Sequence, residues 1–401
     1  MSTGERETTT VGVDAERRRR PANRRDSIVS AAATLFAQRG YGAVSIDDIG
    51  AAVGVSGPAI YKHFRGKEAL LREIIVGNTA RIADAVAATS GSGDVGAEAR
   101  IRLNVAAVLD QPASLSTSIR EFERLREVGG YRDWAAMQKR IDAHWQEILR
   151  TLNPKLDEAG IRTRMAAVLG AMTAATRFPL DVPRPRLDEV FVASAVAIAS
   201  CPQVPARAPD AAPMWLAPTT RRDDIVRAAA RLFREKGFGS VGVNDIGDAA
   251  GITGPTMYHY FETKADVLVE VYDRAGQRAL VGAEDALARA SSAADAVESL
   301  VRAFVRLAID DADLVIVAER ERDSLPAAAR PRLVRSWLAI EDRWTAVMQE
   351  VRPDVVEPEL RLLIRMGFPL ISQAVVSCAE PAPQLDDICA VTVAHLRRSV
   401  L

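Results

Sequence analysis

The chain has 401 residues, 48% hydrophobic and 26% charged, which excludes a fibrous or wholly disordered polypeptide and predicts two or three domains. Its 52 basic and 53 acidic side chains leave a net charge of -1, so any nucleic-acid site has to be local. The longest apolar stretches, such as residues 191–201, fall short of the ~20 residues needed to cross a bilayer. No apolar segment follows Arg17 to Arg20 as an export signal would require, and Cys201, Cys378 and Cys389 are too few and too scattered for a disulfide framework or a zinc site. The expectation is a cytoplasmic protein with no membrane span, no metal and no cofactor.

In chain order, residues 1–20 read as a disordered polar arm with a basic end. An amphipathic helix follows, with Ile28, Ala32, Leu35 and Phe36 at i, i+4, i+7 and i+8, and Gly40 as its stop signal. In SIDDIGAAVGVSGPAIYKHF, residues 45–64, Ser45 is placed to cap a short helix whose apolar face carries Ile46, Ile49 and Val53. Gly54 permits a sharp turn, Ser56 is placed to cap the next helix, and Pro58 sits in its first turn, where a missing N–H costs little. Two short helices joined through glycine form a helix-turn-helix, so 21–76 reads as a DNA-binding domain with the second helix as the recognition helix. Further helices are expected near 98–110, 115–128, 134–151, 161–178 and 187–200, forming a helical body over 77–200. Five prolines in residues 201–218 predict an extended linker.

The chain then repeats itself. Residues 24–75 recur at 221–272 without gaps, with 25 identities in 52 positions. Beyond that, Trp145 and Pro154 recur as Trp344 and Pro353, and Phe178-Pro179-Leu180 as Phe368-Pro369-Leu370. The second DNA-binding domain is therefore expected at 219–272 and a second body at 273–401. No period-two alternation bounded by hairpin turns occurs, so the fold class is all-α.

The helix-turn-helix followed by Tyr61-Lys62-His63-Phe64-Arg65-Gly66-Lys67 resembles the TetR family of bacterial transcriptional repressors. The second copy reads Tyr258-His259-Tyr260-Phe261-Glu262-Thr263-Lys264, departing at the histidine. The resemblance is strong in both 52-residue segments and weak elsewhere. It implies a DNA-binding head and an effector-binding body, twice over, in a repressor that leaves double-stranded operator DNA when a small molecule binds. The segment 325–344 is loosely similar to actinobacterial members that respond to lipid or acyl-CoA metabolites, which implies an apolar or acyl-CoA-like effector.

Residue chemistry assigns roles beside the resemblance. Tyr61 and Lys67 suit phosphate contacts. Ala59, Lys62 and His63, with the helix start at Gly57 and Pro58, suit base edges. Ser45 and Ser56, at the helix starts, are also candidate DNA contacts, and the candidates in the second head are Thr253, Gly254, Pro255, Thr256, Tyr258, His259, Tyr260 and Lys264. Arg19, Arg20, Arg24 and Arg25 belong to an arm able to follow phosphates or enter the minor groove. Leu35, Ile49, Val55 and Phe64 read as core.

The two heads differ. Residues 24–75 carry seven basic and five acidic side chains, net +2, against seven and eight, net -1, in 221–272. Phosphate neutralisation drives non-specific affinity, so the first head should bind more strongly, and unlike heads should read unlike half-sites. The alternative is that only the first head reads DNA while the second module serves interaction or dimerisation. Segments 161–178 and 187–200 are expected to pack on 357–377 and 384–398, making a monomeric pseudo-dimer, with a homodimer as the other arrangement. Trp134, Trp145, Trp337 and Trp344 read as core, and Glu123, Arg177 and Glu319 are the candidate polar ligand contacts. No G-x-S-x-G elbow, Walker loop or H-E-x-x-H is present and the four histidines are scattered, so no enzyme is expected.

Overall fold

The computed structural model describes residues 24–89, 96–177, 182–206, 220–378 and 384–397, and every regular element among them is helical. The expected arm, with Arg19 and Arg20, lies outside these residues, as do linker residues 207–218.

The first head is α1 (Arg24–Arg39), α2 (Ile46–Ala52), α3 (Gly57–Ile60) and the start of α4 (Lys67–Ala87). Ile28, Ala32, Ala33 and Phe36 give α1 one buried face, and the helix stops where Gly40 takes φ +77° and donates its N–H to the Phe36 carbonyl at 2.9 Å. A reciprocal capping box opens α2: Asp48 N–H donates to Ser45 Oγ at 3.1 Å, and Ser45 N–H donates to Asp48 Oδ2 at 2.8 Å. At the turn, Gly54 stands at φ +70°, a conformation that strains any residue with a Cβ.

The first body contains the rest of α4, then α5 (Ala97–Leu109), α6 (Pro112–Glu121), a 3₁₀ turn Phe122–Arg124, α7 (Leu125–Val128), α8 (Tyr131–Leu152), α9 (Glu158–Arg177) and α10 (Arg184–Ser200). The second half repeats this order. Its head is α11 (Arg221–Lys236), α12 (Val243–Ala249), α13 (Gly254–Met257) and the start of α14 (Lys264–Arg289). Its body continues with α15 (Ala293–Asp310), α16 (Ala312–Arg320), a 3₁₀ turn Arg322–Ser324, α17 (Arg330–Val351), α18 (Glu357–Ser377) and α19 (Leu385–Arg397). The lines drawn at 76/77 and 272/273 fall inside α4 and α14, which run unbroken from head to body.

Each head has its own apolar core, whereas the two bodies share a single one that includes Trp145, Phe191, Phe304 and Trp344. Along the seam α9 lies on α18 and α10 meets α19. Gly170 makes the approach possible, because a Cβ there would overlap the Pro369 carbonyl of α18. By length and composition α18 is apolar enough to cross a membrane, contrary to the expectation of no such segment, but 72% of its apolar window is buried inside the protein. Charged pairs pin the seam: Arg186 holds Glu359 at 2.6 and 2.9 Å, and buried Arg164 holds buried Asp387.

The start of the expected linker is not extended away from the fold. The Cys201 carbonyl accepts from Asn153 Nδ2 at 2.9 Å and Arg164 Nη2 at 2.8 Å, and Val204 N–H donates to Asp387 Oδ1 at 2.9 Å. Polar partners on α9 and α19 hold residues that composition alone assigned to a spacer.

Candidate nucleic-acid interface and effector cavity

Each head presents the residues that follow its helix-turn-helix. Tyr61, Lys62 and His63 are exposed on the turn after α3, and Tyr258, His259 and Tyr260 on the turn after α13. Tyr61 and Tyr258 are each 57% exposed, a large aromatic surface that no core element covers. Pro58 and Pro255 are exposed and Ala59 and Thr256 half-exposed close to them in sequence.

Other expected contacts are placed differently. Gly57 and Gly254 are buried, since a Cβ at either position would overlap the side chain of Asp47 or Asn244 on the preceding helix. They set the close crossing of the two helices and are not presented outward. Ser56 makes no side-chain cap bond, whereas Thr253 accepts the Thr256 N–H at 3.4 Å. Ser45 Oγ donates to Asp48 at 2.6 Å while accepting the Asp48 N–H, so its hydroxyl serves the capping box.

Lys67 and Lys264 form a matched internal clasp instead of reaching outward. Lys67 Nζ donates to the carbonyls of Tyr41 at 2.7 Å and Val44 at 2.8 Å, and sits 4.3 Å from the Tyr41 ring centre. Lys264 Nζ does the same to Phe238 at 2.8 Å and Val241 at 2.7 Å, 4.4 Å from the Phe238 ring. The donors proposed for phosphate are spent on the loop after the first helix, and burial lowers both ammonium pKa values.

Arg25 is partnered within its head, although its side chain is 41% exposed. It donates to Glu73 at 2.8 Å and covers the Phe64 ring, as Arg222 donates to Glu270 at 2.9 Å and covers Phe261. Arg24 is exposed, with Nη1 3.5 Å from the Val53 carbonyl.

Sequence reasoning missed Gly50 and the glutamates that join head to body. A Cβ on Gly50 would stand 2.7 Å from the Val55 carbonyl, and one on Gly247 3.0 Å from that of Ile252. Glu121, at the end of α6, accepts the Tyr41 N–H at 3.1 Å, and Glu321, just past α16, accepts the Phe238 N–H at 3.1 Å. Each body thus holds its own head by the loop after the first helix. The ungapped repeat pairs Tyr41 with Phe238, and Arg120-Glu121 recurs as Arg320-Glu321.

The seam runs through the same place. Arg120 of the first half donates from Nη2 to Glu321 Oε2 at 2.9 Å, and from Nη1 to the Ala37 carbonyl of the first head at 3.5 Å. Beside it a cavity of about 490 Å³ opens among α14, α16, α17 and α18, with Ala37, Ile119 and Arg120 of the first half in its wall. Trp337, Phe368 and Val334 supply apolar surface. Glu319 lines it and accepts the Ser372 hydroxyl at 2.8 Å. The side chains of Glu123 and Arg177 lie outside the described residues.

The family profile for bacterial regulatory proteins, tetR family, matches residues 28–74 and 225–271, one segment in each head. Among curated proteins, the chain is 39% identical over 54 residues to the HTH-type transcriptional repressor KstR2 of Mycolicibacterium smegmatis, covering 14% of this chain and 26% of that one. It is 23% identical over 129 residues to the HTH-type transcriptional regulator CymR of Pseudomonas putida, covering 31% and 63%. Both matches span less than two thirds of the relative's length. A crystal structure of a TetR-family transcriptional regulator from Bordetella parapertussis aligns at 19% identity with a TM-score of 0.39, over 43% of this chain and 93% of that one.

Proposed function

Because the chain belongs to the tetR family of bacterial regulatory proteins, in a tandem form with two of its DNA-binding domains, we propose that it is a sequence-specific regulator of transcription. It binds double-stranded operator DNA and acts as a repressor released by a small apolar, lipid- or acyl-CoA-like effector, working in the cytoplasm. The observation that carries this reading is the duplicated helix-turn-helix with an exposed, uncovered aromatic edge on each copy, which carries Lys62 and His63 in the first head and His259 in the second. Tyr61, Lys62 and His63, with Pro58, Ala59 and Arg24, form the contact surface of the first head. Tyr258, His259 and Tyr260, with Pro255 and Thr256, form that of the second.

The unlike edges support an asymmetric operator, since a lysine and an alanine of the first head face a histidine and a threonine at the same places in the second. The association of α9 and α10 with α18 and α19 supports a monomeric chain that acts as its own dimer. The second reading, in which only the first head reads DNA, is favoured by the net charge of -1 in the second head segment against +2 in the first.

Footprinting of the purified full chain on the DNA flanking its own gene tests the proposal. Protection of two unlike half-sites about one helical turn (~34 Å) apart, or a small multiple of it, is expected. Lys62→Ala and His259→Ala are each expected to relax specificity at one half-site, and loss with Lys62→Ala alone selects the one-head reading. Light scattering giving a mass well above the chain's 43.3 kDa would overturn the monomer.

A further inference from the structure

The seam cavity is polarised along α17. Arg330, Val334, Trp337, Leu338 and Glu341 stand at i, i+4, i+7, i+8 and i+11, and all five line it. Arg330 and Glu341 are therefore separated by roughly 16 Å along the helix.

At the Glu341 end the charges are satisfied internally. This carboxylate accepts from Arg361 Nη1 at 3.0 Å and Arg365 Nε at 2.9 Å. At the Arg330 end, Arg120, Arg320, Arg322 and Arg330 reach the cavity wall around the Arg322–Ser324 turn, with Glu319 and Asp323 also lining it and Arg120 paired with Glu321, so basic groups outnumber acidic ones in the wall. Arg330 Nη2 donates to the Asp323 and Leu325 carbonyls at 2.7 and 2.9 Å, but its Nε is buried without a hydrogen-bond partner. A buried, unmatched guanidinium donor costs free energy that an anion can recover. Between the two ends Val334, Trp337, Leu338 and Phe368 give a mostly apolar wall, with Thr173, Tyr272 and Glu319 also lining the cavity and Trp337 Nε1 buried without a hydrogen-bond partner.

The first half has no such end. At the corresponding first positions of its 3₁₀ turn and of α8 it carries Phe122 and Tyr131 where the second half carries Arg322 and Arg330. These rings pack with Trp134, with centroids 4.7 Å (Phe122 to Trp134) and 5.6 Å (Tyr131 to Trp134) apart. An aromatic cluster, with the Arg126 guanidinium 4.9 Å over the Tyr131 ring, stands at the positions that Arg322 and Arg330 hold in the second half.

We propose that the chain holds one site for an amphipathic anion, with a carboxylate or phosphate end at Arg322 and Arg330 and an apolar body along Val334, Trp337 and Phe368. This deepens the effector reading above and rests on it only for the consequence at DNA. That consequence runs through Arg120, which touches the cavity, the Ala37 carbonyl of the first head and Glu321, the seat of the second head's loop. An anion beside Arg120 competes with Glu321 for it, so one ligand bears on both heads.

Isothermal titration calorimetry of the full chain without DNA tests the site, with dodecanoate, dodecyl phosphate and dodecan-1-ol as probes. One anion per chain is expected to bind saturably, with the alcohol at least tenfold weaker. Tighter binding of dodecanoate assigns a carboxylate head, and tighter binding of dodecyl phosphate a phosphate ester. Arg322→Gln is expected to weaken the anion about tenfold, and Val334→Trp to abolish binding by filling the apolar channel, both with unchanged thermal unfolding. Arg330→Gln is left aside because it also frees two carbonyls. Absence of saturable anion binding, equal affinity for the alcohol, two sites per chain, or unaltered binding in both variants would overturn the proposal. Lost ligand binding with an intact footprint counts against the anion site alone, and intact ligand binding with no footprint counts against the DNA reading alone.

Discussion

Arg164 on α9 and Asp387 on α19 form a two-pronged pair buried from solvent, Nη1 to Oδ2 at 2.9 Å and Nη2 to Oδ1 at 3.1 Å. The remaining donors and acceptors are also used, with the guanidinium bonding the carbonyls of Gly160 and Cys201 and the carboxylate taking the Val204 N–H. Removing one partner strands a buried charge. Arg164→Ala and Asp387→Ala are each expected to cost about 3–5 kcal/mol in urea unfolding. The double variant Arg164→Met with Asp387→Leu should recover most of that loss, and failure to recover would mean that the hydrogen bonds to the linker start outweigh the ion pair.

Lys67 and Lys264 separate a stabilising role from a phosphate contact. Lys67→Met is expected to lower stability by about 1–3 kcal/mol, through two lost charge-assisted bonds to carbonyls on a half-buried group. The slope of log affinity against log salt should stay unchanged, whereas a phosphate-contacting lysine would lower it by about one. Lys264→Met should behave alike in the second head, and calorimetric unfolding beside DNA titrations at several salt concentrations reads both.

Gly50→Ala and Gly247→Ala make a graded pair. The first places a Cβ 2.7 Å from a backbone carbonyl that cannot rotate away, and the second places it at 3.0 Å. The expected cost is about 1–3 kcal/mol of overpacking for Gly50→Ala and less for Gly247→Ala. Displacement of α3 should reduce DNA protection at one half-site in step. Equal melting temperatures for the two variants would contradict this.

His395 on α19 makes the second body sensitive to acid. It is wholly buried, its Nε2–H donates to the Leu363 carbonyl at 2.8 Å, Nδ1 has no partner, and burial depresses its pKa to about 4. The unfolded chain binds this proton near pH 6.5 and the folded chain only near 4. The histidine's contribution is therefore fully present above pH 6.5 and is lost as pH falls from 6.5 towards 4, at up to about 1.4 kcal/mol per pH unit. His395→Met should flatten the dependence of the urea midpoint between pH 7 and 5, and a slope as steep as in the parent would place the titrating group elsewhere.

What was legible in the sequence follows the range of the interactions. The helix-turn-helix could be read because its determinants are local: Ser45 caps three residues away, Gly54 sets its own φ, and the apolar period of α1 repeats within one helix. The second copy showed the same pattern again, which fixed the order of elements. The clasp of Lys67 depends on carbonyls 23 and 26 residues back, the burial of Gly57 on where Asp47 falls, and the Arg164–Asp387 pair on positions 223 residues apart. No period or spacing reports such contacts. The cavity was illegible for a further reason: its walls come from both halves, and the substitutions that make it cationic, Arg322 and Arg330 for Phe122 and Tyr131, fall where the repeat has faded.

A dimer of identical subunits repeats every contact about its twofold axis, so one mutation alters both sides at once and each surface must be complementary to itself. The seam described here is free of that constraint. Arg164 meets Asp387, Arg186 meets Glu359, and Arg120 meets Glu321, each between unlike residues encoded separately. A change in the gene alters one side only, so the two halves can diverge in what they recognise while remaining in fixed one-to-one proportion.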